Sequence, residues 1–504
     1  MFNTRKTNSL DFSPFKKTLL ASILSFLFLF PSPANAKPDH ELETKLETFM
    51  AYLMETLDVV PGYSIAVATT EGPLLAKGYG TTSASDDQPM DADTQVYIAS
   101  STKSLTGLAV ASLANKGLID LDTPIEEYLP GLAGAPAGGV TLRQLLSHTH
   151  GLQEGGLTWR TAFSGQYTPE ILLEIVKNMP LSENPDDFSY TNTGYVIASL
   201  VLEHHFDKSW KTIVEEEVLK PAGMALTTAY VSALGDDYAR PHSWYGVKNP
   251  FTFPKKDNTM HAAGGHFSTA SDMARWLQAQ LSDGIIAGKQ VFAPGVVAST
   301  QRPQTSLEAE FYTYKRHHYG FGWYQADYKG HLMYHHFGSF SGYRAHVSFI
   351  PELGIGVAVL INDASQPGFY LPEIIANYIY DLAAGVENPE APYREEIAKI
   401  AGMIQPMVGK SLPERPRNAP DDEARYAGSY YNEDFGTISF FMVDRELVVT
   451  FGNLSSKTTY KEDGSIRMEL TPYNGTLGEF VEDQNGAITG IQYRGILYAR
   501  ERGE

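Results

Sequence analysis

Apolar positions recur at helical spacing near the start of the chain. Leu42, Leu46, Phe49, Leu53 and Leu57 fall on one face of residues 40–58, which predicts an amphipathic helix. Pro61-Gly62 stops it. The pattern then shortens to two apolar runs, Tyr63–Thr69 (YSIAVAT) and Leu74–Gly78, a hairpin turning at Glu71-Gly72. A second helix is predicted from Ser101 to Lys116, with Gly117 as its C-terminal cap. Helical and loop patterns fill residues 120–300. Strand patterns return between 320 and 362 as FGWYQADY, HLMYHHF, RAHVSFI and GIGVAVLI. Strands at both ends with helices between them predict an α+β fold whose ends meet in one antiparallel sheet.

The pattern changes again late in the chain. Residues 394–410 read as a helix. Ser411–Glu423 (SLPERPRNAPDDE) is rich in Pro and charge and reads as a linker. From Tyr426 onward come short alternating runs, TISFFMV, ELVVTF, SIRMEL, GEFVE, ITGIQY and ILYAR, separated by Gly, Asn and Asp. Six to eight short strands in ~80 residues make a small β-barrel or sandwich. At the other end, basic residues finish at Lys16-Lys17 and the apolar run Leu19–Phe30 follows. Ala34-Asn35-Ala36 then supplies small residues, the order of a secretory signal peptide cleaved before Lys37. The alternative is an uncleaved anchor, but the run is shorter than the ~20 residues a span needs. The predicted organisation is 1–36 signal peptide, 37–392 α+β domain, 393–423 helix and Pro-rich linker, and 424–504 C-terminal β-barrel domain. The expected location is periplasmic or secreted, with no transmembrane segment in the mature form.

Composition narrows the chemistry. With signal residues removed, 35 basic and 58 acidic side chains remain, a net charge of −23. Such a surface repels phosphate backbones and argues against a nucleic-acid partner. The absence of cysteine excludes disulfides, thiolate metal sites and a cysteine nucleophile.

Three short segments carry candidate chemistry. In Ile98-Ala99-Ser100-Ser101-Thr102-Lys103, Ser100 and Lys103 are three apart at the start of a helix and share a face. A serine hydroxyl needs a base to take its proton, and a desolvated lysine has its pKa lowered. Ser100 is preferred to Ser101 because only Ser100 has Lys at i+3. An ordinary N-cap is the bland alternative. The segment Phe188–Tyr195 places a phenol, Tyr190, two residues before an amide, Asn192. If 190–192 are extended, the two side chains point the same way. In His335-His336-Phe337-Gly338-Ser339-Phe340-Ser341-Gly342, a strand glycine lets a substrate backbone lie close.

Together, S-x-x-K at Ser100, Y-x-N at Tyr190 and H-x-G at His336 resemble the serine β-lactamase and penicillin-binding-protein superfamily. The likeness is to its class C-like branch of β-lactamases, D-Ala-D-Ala carboxypeptidases, D-aminopeptidases and esterases. Flanking text adds to the resemblance: Leu145–Leu152, Lys220–Met224, Gly264–Ala270 and Tyr319–Trp323. The resemblance covers residues 42–365 and implies a β-lactamase/transpeptidase-like domain followed by a lipocalin-like barrel. It implies Ser100 as acyl-enzyme nucleophile, Lys103 as proton shuttle and Tyr190 as general base and acid. Asn192, His336, Gly338 and Ser339 would contact substrate, the backbone N–H groups of Ser100 and Ser339 forming the oxyanion hole. No cofactor or metal is implied.

The departure is His336, where the family often has Lys. A histidine is largely neutral near pH 7, which puts strict dependence on a substrate carboxylate in doubt. His148 and His150 could serve as metal ligands, but with no H-E-x-x-H in the chain they are read as loop residues. The aromatic stretches 312–319 and 321–324 line a cleft or pack a sheet. The function expected is a secreted serine hydrolase of D-amino-acid peptides, cell-wall peptides or small esters. The alternatives are a class C-like β-lactamase or a non-catalytic penicillin-binding module. The partner is a small-molecule or peptide substrate; the oligomeric state is open.

Overall fold

The computed structural model describes residues 40–243, 250–365, 368–406, 416–472 and 474–501. The predicted signal segment and the beginning of the Pro-rich linker lie outside these residues.

The first helix, α1, is His40–Leu57. It is followed by strands β1 (Gly62–Thr69) and β2 (Gly72–Gly80), the predicted hairpin. Helix α2, Thr102–Asn115, is preceded by a single 3-10 turn, Ala99–Ser101. Its residues 102–113 are all buried, so it shows no polar face, as expected of a helix packed on every side. Later come β3 (Thr305–Phe311), β4 (Tyr314–Tyr319), β5 (Tyr324–Tyr328), β6 (His331–Phe340), β7 (Tyr343–Ile350) and β8 (Ile355–Ile361). Strands β3 and β4 stand where no strand is predicted, because β3 is largely exposed and bulges interrupt the alternation of both.

Among the described residues these eight strands form one antiparallel sheet in the order β2-β1-β8-β7-β6-β5-β4-β3. The two ends of the fold meet where β1 pairs β8, Tyr63 lying opposite Ile361 and Thr69 opposite Ile355. Along β1, Ala66 and Ala68 join the core shared with α2 and the helix Ala270–Leu281, whereas Ile65 and Val67 join the core behind the sheet. That second core includes α1, the helix Leu371–Ala383 and the helix Glu390–Ile404. Phe49 stacks on Tyr378 there at 4.1 Å. With both faces covered, β7 and β8 are buried throughout and read as unbroken apolar runs.

The C-terminal strands, Gly428–Asn432 to Ile496–Arg500, close into an eight-stranded antiparallel barrel, with Tyr430 of the first strand opposite Arg500 of the last. Arg417, in the linker, pairs with Glu423, and its carbonyl accepts from Tyr460 N–H. The linker's described end is therefore tied to the barrel.

The segment 156–166 is wedged against that barrel. Trp159 belongs to the barrel's own apolar cluster, with Tyr430, Phe451 and Tyr498. Arg160 donates to the carbonyls of Glu433, Asp434 and Gln166. Gln166 exchanges two hydrogen bonds with Thr437. A Cβ on Gly156 would sit 1.9 Å from Asp434 O, and one on Gly452 1.9 Å from Ser164 O, so glycine is required at both approaches.

Candidate active site

Ser100 sits in the 3-10 turn where the chain enters α2. The residue before it, Ala99, has φ +43°, a left-handed conformation that costs an L-residue about 1–2 kcal/mol. The strain sets Ser100 apart from its neighbour. Ser100 is half-exposed. Ser101 is buried, its hydroxyl without a hydrogen-bond partner among the described residues.

Lys103 is fully buried one turn on. Its Nζ lies 3.4 Å from Ser100 Oγ and donates to Asn192 Oδ1 and Ala263 O, each at 2.8 Å. Desolvation pushes its pKa well below that of an ordinary lysine, with Glu154 pulling it partly back. Its polar neighbours are thus the motif serine, the Asn192 amide oxygen and a backbone carbonyl.

Tyr190 flanks the pair, its ring centroid 4.7 Å from Lys103 Nζ. Burial raises its phenol pKa well above the usual value, and Tyr324 raises it further. The Ser100 hydroxyl is near enough to pull it back slightly, yet Tyr190 Oη has no partner in hydrogen-bond geometry among the described residues.

Asn192 is not extended. It has φ −82° and ψ −20° and occupies the N-cap position of the helix Thr193–Phe206, which corrects the strand-like reading of 190–192. Helix entry, not strand alternation, brings its amide to Lys103. Gly194 lets that helix dock, since a Cβ there would lie 2.2 Å from Leu145 O.

The two loop histidines hold this segment in place. His148, at φ +62°, accepts from Thr191 N–H through Nδ1 at 3.4 Å, and its carbonyl accepts from Ser189 N–H at 2.9 Å. Its ring packs 4.6 Å from that of Tyr190. His150 accepts from Leu152 N–H through Nδ1 at 3.0 Å, so its Nε2–H faces Thr191 Oγ1 at 3.3 Å. Burial lowers its pKa to about 4. Their contacts join residues some 40 apart, so no local pattern announces them.

His336 is fully buried. Its Nδ1–H donates to Phe337 O at 2.8 Å, leaving Nε2 to accept from the Tyr319 hydroxyl at 3.3 Å. Desolvation, then the nearby Lys103, hold its pKa well below the normal imidazole range. It is therefore a neutral ring behind Tyr190, 6.0 Å away between centroids, with both nitrogens engaged inside the protein. Arg316 is the cation nearby that sequence reasoning passed over. Its guanidinium lies 3.7 Å from the Tyr324 ring centroid and donates to His335 Nε2.

Gly338 is needed for a different close approach from the one expected. A Cβ there would stand 2.1 Å from Ile98 O, so β6 runs directly against the backbone leading to Ser100. Ser339, exposed at the next position, is thereby held beside the Ala99–Ser101 turn. Gly338→Ala should cost about 1–3 kcal/mol by overpacking, read as a lower urea midpoint. An unchanged midpoint would show that strand and turn are free to separate.

The sequence that folds into this site matches a known family. The family model described as Beta-lactamase matches residues 47–379. The chain belongs to the beta-lactamase family. Over 382 residues it is 27% identical to penicillin-binding protein 4 of Amycolatopsis lactamdurans, covering 74% of this chain and 94% of that one. The octameric penicillin-binding protein homologue from Pyrococcus abyssi shares its fold with a TM-score of 0.59 at 22% identity, over 90% of this chain and 99% of the other. The D-amino acid amidase from Ochrobactrum anthropi SV3 does so at 0.55 and 20% identity, over 67% and 99%. The catalytic-domain fold and the superfamily expected from the three motifs are thus established, and the barrel is present beside them. Among the described residues no helix is long and apolar enough to cross a membrane, and no group of three or more His, Asp or Glu is placed to hold a metal ion.

Proposed function

We propose that this protein is a serine hydrolase that cleaves an amide or ester through an acyl-enzyme on Ser100. The observation that carries the reading is the environment of Lys103, a buried amine held by Asn192 Oδ1 and Ala263 O with its Nζ 3.4 Å from Ser100 Oγ. Ser100 Oγ attacks the substrate carbonyl carbon while its proton passes to Lys103 Nζ. Tyr190, kept as a neutral phenol by burial, donates its proton to the leaving nitrogen or oxygen and is reprotonated from Lys103. Water then attacks the acyl carbonyl, the same groups acting in reverse, and Ser100 is released. This shifts the base role toward Lys103 and leaves Tyr190 chiefly the acid. Backbone N–H groups of Ser100 and Ser339 receive the oxyanion, each such donor being worth about 3–4 kcal/mol.

The fold shared with a D-amino acid amidase and a penicillin-binding protein homologue supports D-amino-acid amides, cell-wall peptides and small esters as substrates. A neutral His336 with no spare donor supports uncharged substrates near the scissile bond over an obligatory carboxylate there. The test is a fluorophosphonate and a fluorescent penicillin applied to the full chain, followed by intact mass spectrometry. A single adduct on Ser100 is expected; no adduct with either probe, and no turnover of esters or D-amino-acid amides, would leave a binding module instead.

Export belongs to the same reading. Cleavage after Ala36 should give a secreted or periplasmic protein beginning at Lys37, in three parts divided near 393 and 423. N-terminal sequencing of the exported protein checks this, and a start at Met1 in the membrane fraction overturns it.

A further inference from the structure

A cavity of about 300 Å³ lies between the wedge and the barrel. Thr158, Trp159 and Phe163 line it from one side, and Phe435, Arg494 and Tyr498 from the other. Its lining is mostly aromatic, with Trp159, Phe163, Phe435 and Tyr498 as walls. Arg494 projects from the tip of a barrel hairpin, its guanidinium 5.0 Å from the Trp159 ring centroid. It adds a planar cation that pairs with a carboxylate through two hydrogen bonds.

Two further contacts tie the cavity to the serine. Glu154 lines it as well, and its field reaches Lys103. Phe163 packs 5.9 Å from Phe340, the residue after Ser339. The volume suits one aromatic or branched group, at the lower end of ~300–1,000 Å³ ligand pockets.

We infer that this cavity is a substrate subsite completed by the barrel, which takes an aromatic acyl side group ending in a carboxylate, with Arg494 as the anion anchor. The inference rests on the acyl-enzyme reading above and deepens it. The carboxylate recognised is thus distant from the scissile bond and held by the barrel, not by the residue at 336.

The test is a series of p-nitrophenyl esters with one leaving group and phenylacetyl or 4-carboxyphenylacetyl as the acyl part. Wild type should favour the carboxylated ester in kcat/KM by about ten- to hundredfold, the worth of one charge-assisted pair. Arg494 has φ +52°, so Arg494→Asn is the suitable variant because asparagine tolerates that conformation. It should abolish the preference. Arg445→Asn, at another left-handed barrel position, should leave it intact. A preference that is absent in wild type, or that survives Arg494→Asn, overturns the inference.

A second arm is independent of turnover. Free 4-carboxyphenylacetate is titrated into the full-length Ser100→Ala protein, with tryptophan fluorescence as the signal. Saturable binding that disappears with Arg494→Asn supports the subsite, and absence of saturable binding overturns it. Arg494-dependent binding without hydrolysis of any ester by wild type would sink the serine-hydrolase reading and keep the subsite. Hydrolysis of both esters at equal rates would do the reverse.

Discussion

Ser100→Ala should abolish covalent labelling and lower kcat by about 10⁵–10⁶-fold, the loss seen when a nucleophile acting as one unit with its base is removed. The effect is this large because no nearby group replaces the hydroxyl. Ser101 is buried with no hydrogen-bond partner for its hydroxyl among the described residues, and the hydroxyl bonded to Lys103 Nζ is that of Ser100. Fold and stability survive, since Ser100 is half-exposed and its side chain fills little core volume. Intact mass spectrometry after substrate trapping checks the first point, and a thermal melt within a few degrees of wild type checks the second. An acyl adduct on Ser101, or full activity in the variant, refutes the assignment.

Lys103→Met gives the second large effect, and its signature is in pH. The variant should lose about 10³–10⁴-fold in kcat, the upper end of what general acid–base help supplies. In wild type, kcat/KM should rise with pH through the Lys103 pKa, because only the free amine accepts the serine proton. Stability carries the same group with a definite sign. The folded pKa is below the unfolded value of ~10.4, so between the two the unfolded chain binds more protons and stability rises with pH. The penalty is complete below the folded pKa and gone above the unfolded one. Wild type minus Lys103→Met, followed by urea unfolding across pH, should therefore grow more negative on acidification and level off where the rate profile has its acid limb. A flat difference would mean that Lys103 is not desolvated, and a limb at another pH would assign the base elsewhere.

Much of the scaffold is legible from local pattern. The β1–β2 hairpin, α2 with Gly117 at its end and the β7–β8 runs announce themselves, because each is set by spacing within ten or twenty residues. The motif serine, lysine and tyrosine converge on one site for the same reason: each sits at an element boundary that the pattern marks. What is hidden depends on distant partners. Gly338 is a glycine because Ile98 passes beneath it, 240 positions earlier. Asn192 is helical because helix Thr193–Phe206 docks on the segment ending at Ser147. His148 and His150 look like loop residues until the 188–192 segment is seen bonded to them. Nothing near Trp159 hints that it completes a barrel beginning at Gly428.

That last contact has a consequence for biosynthesis. Segment 156–166 leaves the ribosome long before the strands that cover it. At about 5–20 residues per second, the last barrel strand follows Phe163 by roughly 20–70 s. Through that interval Trp159 and Phe163 are uncovered, and the nascent chain presents an aromatic surface to chaperones and proteases. A chain released before the final hairpin lacks the barrel residues that pack on Trp159.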